Sequence, residues 1–299
     1  MRQGGVLSPY LFALYVNDII ADVEGLNVGC VMCFVPMCII LYADDILLLA
    51  PSVNALQLLL STCELELRKL DLFINSAKSV CLRIGPRRSN NCQNLVTIDG
   101  NNLNWESCIR YLGVYIESAG HFRCSHEVAK KKFYSSFNGI FGKIGRVASE
   151  EVILNLISAK CIPCLLYASE ALPFNSSQLK SLGFPLKRIL FKMFKTGSSD
   201  IVSQCQEFFN FPDVSELIFR RKRKFNKRFT ITENLLCYTV KSKFQTVDYR
   251  CTCRLCICCL PTVIWTLLVY TCMFMFCVCV FVMSPCLCMF VFYFNSAER

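Results

Sequence analysis

Two carboxylates stand side by side, Asp44 and Asp45, between the apolar runs 38–41 and 46–49. Holding two like charges at one point is unfavourable, through repulsion and lost hydration, unless a cation sits with them. Hard carboxylate oxygens favour Mg²⁺, an ion that also recruits the phosphate oxygens of a substrate. The pattern therefore points to metal-dependent phosphoryl transfer, in which two ions clamp the attacking and leaving oxygens. An Asp-Asp pair is more often a plain turn, so its setting has to decide.

Other residue types with chemical potential carry less. Cys30 and Cys33, and again Cys161 and Cys164, have metal-ligand spacing, but their surroundings are apolar and no second Cys/His pair lies at a zinc-finger distance. Buried structural thiols are the favoured reading. His121, Cys124 and His126 form a looser group that reads as incidental. The 22 cysteines are unevenly spread, with no signal-peptide pattern after Met1, so reduced thiols inside a cell are the expectation.

The acidic pair needs a scaffold, and the flanking patterns supply one. Ser8 and Pro9 open a run in which Leu11, Phe12, Tyr15, Val16, Ile19, Ile20 and Val23 recur at helical spacing until Gly25. One helix of about four turns is expected there. The runs 38–41 and 46–49 then read as a buried β-hairpin with Asp44 and Asp45 at its turn. A helix follows over 52–72, and strand-like pieces over 79–84, 95–98 and 111–116, separated by turn signals. After Ser125 helices are expected at 126–144, 149–161 and 177–194. Mixed elements first and helices afterwards make an α+β unit with a helical appendage.

Charge is equally local. From Met1 to Phe229 there are 27 Lys+Arg and 19 Asp+Glu, a net of +8, and seven of those cations are Arg220, Arg221, Lys222, Arg223, Lys224, Lys227 and Arg228. The cluster reads either as a patch for an anionic partner, phosphate above all, or as a solvated helix face. Between Arg254 and Glu298 no charged residue occurs. Within that stretch 260–283 is apolar and long enough to span a bilayer. A tail anchor is one reading. The other is repetitive DNA read as protein, because Cys277-Val278-Cys279-Val280 is what a TG repeat encodes.

Four motifs in order carry a resemblance: Arg2-Gln3-Gly4-Gly5-Val6-Leu7-Ser8-Pro9, Tyr42-Ala43-Asp44-Asp45, Lys78 after an amphipathic helix, and Tyr111-Leu112-Gly113-Val114. Together they resemble the palm motifs of a reverse transcriptase, most closely of the non-LTR retrotransposon type. Residues 165–170 and the basic 220–228 stretch are similar to segments that follow the palm, so the likeness covers about 1–229. It implies a partial right-hand palm over 1–124, an antiparallel sheet with packed helices. A helical thumb over 125–229 would follow; the linker over 230–259 and the hydrophobic tail beyond it match nothing in the family. It implies Asp44 as main metal ligand with Asp45 in support, on Mg²⁺ or Mn²⁺. Gln3, Gly4 and Gly5 would lie under template and nucleotide, where glycine admits close backbone approach. Lys78 would be the proton donor to departing pyrophosphate. Tyr111, Leu112 and Gly113 would grip the primer end, and the seven cations would hold nucleic-acid backbone. RNA template and DNA primer are the implied partners, in nucleus or cytoplasm, with a membrane added if 260–283 inserts; no small-molecule cofactor is implied.

In the family a third aspartate, on a strand before the Gln-Gly segment, helps hold both metals, and this chain starts one residue before Arg2. Two expectations follow: weak or absent metal binding with no useful polymerase activity, and apolar edge strands left unpaired beside the hairpin. A non-catalytic basic nucleic-acid binder and a tail-anchored membrane protein are the alternative functions.

Overall fold

The computed structural model describes residues 7–32, 35–145, 147–232 and 287–296. These fall into two compact units, one running to Cys124 together with Leu287–Ser296, the other from Ser125 to Thr232.

The first unit begins with two helices where one was expected, α1 (Ser8–Tyr15) and α2 (Asn17–Gly25). Val16 leaves helical geometry between them. The break lets Val16, Ile19 and Val23 turn into the core while Tyr10, Leu11 and Leu14 of α1 stay exposed. Two short strands, β1 (Val31–Met32) and β2 (Val35–Pro36), precede the predicted hairpin of β3 (Ile39–Tyr42) and β4 (Asp45–Ala50). Helix α3 (Val53–Lys69) is capped by Ser52, whose Oγ accepts from the Ala55 N–H at 3.2 Å. It lays Leu56, Leu59, Leu60, Cys63 and Leu67 on β4, whose Ile46 to Ala50 are fully buried. At roughly 1.5–3 kcal/mol for each large apolar side chain removed from water, this contact dominates the unit.

The remaining strands are β5 (Leu72–Ile74), β6 (Val80–Ile84), β7 (Leu95–Val96), β8 (Asn102–Leu103), β9 (Cys108–Tyr111), β10 (Val114–Glu117) and β11 (Arg123–Ser125). The stretch 111–116, expected as one strand, instead turns a corner at Leu112 and Gly113, so Tyr111 ends β9 and Val114 opens β10. A closing pair of residues with positive φ makes that turn tight enough for two strands to return on each other.

The expectation of unpaired edges beside the hairpin is not met. A last strand, β12 (Leu287–Ser296), lies antiparallel between β4 on one side and β5 and β6 on the other. Its register sets Met289 opposite Leu49 and Leu82, and Val291 opposite Leu47 and Val80. β4 thus pairs on both edges, with β3 and β12. The eight-residue apolar run at 287–294 has the composition of a strand covered on both faces. The anchor reading of 260–283 falls outside the described residues, and none of the described helices is long and apolar enough to cross a membrane.

The second unit is helical: α4 (Glu127–Ile144), α5 (Glu150–Leu156), a wide π turn at Ile157–Cys161, α6 (Ile162–Leu165), α7 (Ser176–Phe194), α8 (Ser199–Phe208) and α9 (Val214–Ile231). The helix expected over 149–161 widens at its end, and Pro163 next along has no N–H with which to close a regular ladder. Phe133, Phe137, Ile157, Leu186, Leu190 and Ile218 form its core.

Candidate active site at an acidic turn

β3 and β4 register with Tyr42 opposite Asp45, leaving Ala43 and Asp44 as a two-residue turn. Ala43 has φ of +53°, a backbone region that glycine fills most readily. Asp44 sits exposed at the tip and Asp45, the first residue of β4, is half-buried. Burial, and then the neighbouring charge of Asp44, raises the Asp45 carboxyl above its ordinary value. A raised carboxyl beside a second carboxylate is the electrostatic signature of a site that a cation would relieve. Among the described residues no third His, Cys, Asp or Glu gathers with them.

β12 frames the turn. Tyr293 is opposite Asp45, and on the other edge of β12 Val80 faces Val291 while Ile74 faces Phe294. Residues 75–79 therefore bulge from that edge at the level of Phe292 and Tyr293. Lys78 lies in the bulge, exposed, its N–H bonded to Asn75 O at 3.1 Å and Oδ1 at 3.2 Å. Lys78 therefore lies beyond the edge of β12 opposite to the one that carries Asp45. Gln3, Gly4 and Gly5 lie outside the described residues.

The Tyr111-Leu112-Gly113 segment forms the β9–β10 turn, with φ of +45° at Leu112 and +82° at Gly113. Tyr111 is buried within the unit. What this hairpin presents outward is the backbone of its turn rather than the tyrosine ring.

The seven cations lie on α9, and its packing divides them. Arg221 turns inward, donating to Leu166 O at 2.9 Å and approaching the buried Glu170 carboxylate at 3.5 Å. Lys222 rests with its Nζ 5.5 Å from the centre of the Phe174 ring, and burial lowers its pKa. Arg220 pairs along the helix with Glu216. Arg223, Lys224, Lys227 and Arg228 remain on the exposed side, with Phe219 also exposed among them. Inward-facing Phe225 and Phe229 fix which way that side points. The ties through Arg221 and Lys222 escaped sequence reasoning, since nothing in a run of basic residues says which of them faces Glu170.

Of the cysteines with metal-ligand spacing, Cys33 lies outside the described residues, and no metal-ligating cluster of three or more His, Cys, Asp or Glu occurs among the described ones. Cys161 is buried and its pKa is pushed up to about 11, mainly by burial, while Cys164 donates to Lys160 O at 3.4 Å. His126 packs against Phe174 with ring centres 4.9 Å apart and the planes tilted by 35°.

No curated protein and no solved structure matches the chain. One family model does match: residues 1–116 align with that of "Reverse transcriptase (RNA-dependent DNA polymerase)". The matched stretch holds the acidic turn, Lys78 and the Tyr111 hairpin, so the first unit carries a domain similar to a reverse transcriptase.

Proposed function

We propose that this chain is a non-LTR-type reverse-transcriptase remnant that retains nucleic-acid binding and has lost nucleotide transfer. The observation that carries the reading is the Tyr42–Asp45 turn within the family-matched stretch, with two adjacent carboxylates and one raised pKa. Asp44 and Asp45 would hold one divalent cation, Mg²⁺ or Mn²⁺, which when bound offers phosphate oxygens a Lewis acid. Lys78, across β12, is assigned the proton delivered to a leaving group, and Gln3, Gly4 and Gly5 the support of template and nucleotide. The Tyr111-Leu112-Gly113 turn is assigned the primer end.

Loss of transfer rests on β12. In the family likeness the strand beside this hairpin brings a third aspartate. Here that place is taken by Leu287–Ser296, which has no acidic residue. Two carboxylates would hold one cation weakly and leave the second ion of a clamp short of ligands, and catalytic groups acting as a unit lose effect steeply when one is missing. Primer extension on an RNA template with Mg²⁺ or Mn²⁺ should give no processive product, and synthesis over many nucleotides overturns the reading. The exposed cations of α9 support the retained part, holding phosphate backbone by charge.

A further inference from the structure

The first unit holds a second polar site, well away from the acidic turn. A cavity of about 300 Å³ opens between β6, the loop after it and the segment around Trp105, with Arg83, Arg88, Asn90, Trp105, Glu106 and Ser118 among its lining residues. Arg83 is opposite Cys288 of β12, five residues from the Tyr293 that faces Asp45, or about 17 Å along the strand.

Arg83 is unusual for its position. It is a full cation on a strand paired with β12 and is only 9% exposed. Its guanidinium donates to Asn90 O at 2.6 Å and Arg87 O at 2.5 Å, and it lies 5.8 Å from the centre of the Trp105 ring. Among the described residues its Nε has no partner and no carboxylate lies within ion-pair distance of it. Carbonyl dipoles and an indole face offset part of a buried charge, and a counter-anion is the usual remainder. Arg88, also on the cavity wall, has no hydrogen bond or ion pair to its guanidinium among the described residues. Glu106 is the one carboxylate there, exposed and unpaired among the described residues.

We propose that this cavity is an oxyanion site for a phosphate monoester, with the guanidinium groups of Arg83 and Arg88 as its charge and Ser118 and Asn90 beside them as polar neighbours. The Arg88 guanidinium matches a tetrahedral oxyanion by paired N–H donors, while Arg83, its terminal nitrogens held by Asn90 O and Arg87 O and its Nε buried, adds positive charge from within the wall. The volume is at the small end of ligand pockets, roughly 300–1,000 Å³, which suits a nucleotide-sized molecule rather than a polymer. The site is independent of metal at Asp44 and Asp45.

The test uses the full chain with Trp265→Phe, which leaves Trp105 as the only indole of the two. Inorganic phosphate and adenosine monophosphate are titrated while indole fluorescence is followed. Both should give a saturable change, weakened about tenfold or more by Arg88→Gln, a substitution that spares the Arg83 clamp on the loop. Glu106→Gln should tighten binding by removing a repelling charge, an effect a purely structural glutamate would not produce. Arg83→Gln should abolish the response, and circular dichroism shows whether the unit still folds. A linear or absent response, equal responses in parent and Arg88→Gln, or binding solely of an oligonucleotide lacking a terminal phosphate overturns the proposal.

Discussion

At the acidic turn two residues work against local stability. Asp45 holds its proton more tightly in the folded chain than in the unfolded one, because it is half-buried and next to Asp44. Stability is therefore lost as pH rises through the folded pKa, and Asp45→Asn removes that loss. The variant should unfold at higher urea concentration than the parent at neutral pH, and the gap should close as pH falls toward the ordinary carboxylate value. Mg²⁺ should narrow the gap as well, by stabilising only the parent. Ala43 adds a backbone cost at φ +53°. Ala43→Gly is expected to stabilise the unit by about 1 kcal/mol in the same urea measurement, since glycine enters that region without a Cβ clash. Backbone strain and like-charge repulsion collected at one turn support the proposed cation site.

The elements show how much of this the sequence could disclose. Periodicity gave the hairpin that carries Asp44 and Asp45 and the long helix α3 that packs on it, because both are strong apolar patterns with clear punctuation. The break at Val16 was hidden, since an apolar stripe continues in composition through a residue whose backbone leaves the helix. The turn inside 111–116 was hidden because Leu112 adopts positive φ, a conformation leucine does not advertise. β12 was the largest omission. Its run of Phe, Val, Met and Tyr reads as a buried strand, but nothing local pairs it with strands more than 200 residues earlier. Such long-range register is set by packing and not by propensity. Val291→Pro, at the middle of a strand bonded on both edges, should destabilise the first unit by roughly 3 kcal/mol or more, read by hydrogen exchange of β4 and β6 amides. Leu48→Ala, in the same layer and fully buried, should cost about 2–5 kcal/mol.

The formal charge of the chain is +10, and four exposed cations, Arg223, Lys224, Lys227 and Arg228, stand together on the outer side of α9. Binding to single-stranded nucleic acid should weaken with salt. Replacing Arg223 and Lys227 together by Gln should lower the slope of log K against log salt by about 1.4, at roughly 0.7 for each phosphate that is no longer neutralised. Arg221→Gln should act differently, loosening the packing against Glu170 and Leu166 more than it changes the slope. The placement of β12 also has a cost in time. Its partner strands are finished by Ile84, and Leu287 follows 203 residues later. At about 5–20 residues per second, a ribosome takes on the order of 10–40 s to cover that distance. Throughout that interval the nascent chain carries an open, apolar half-sheet, the kind of surface that chaperones hold until its closing strand emerges.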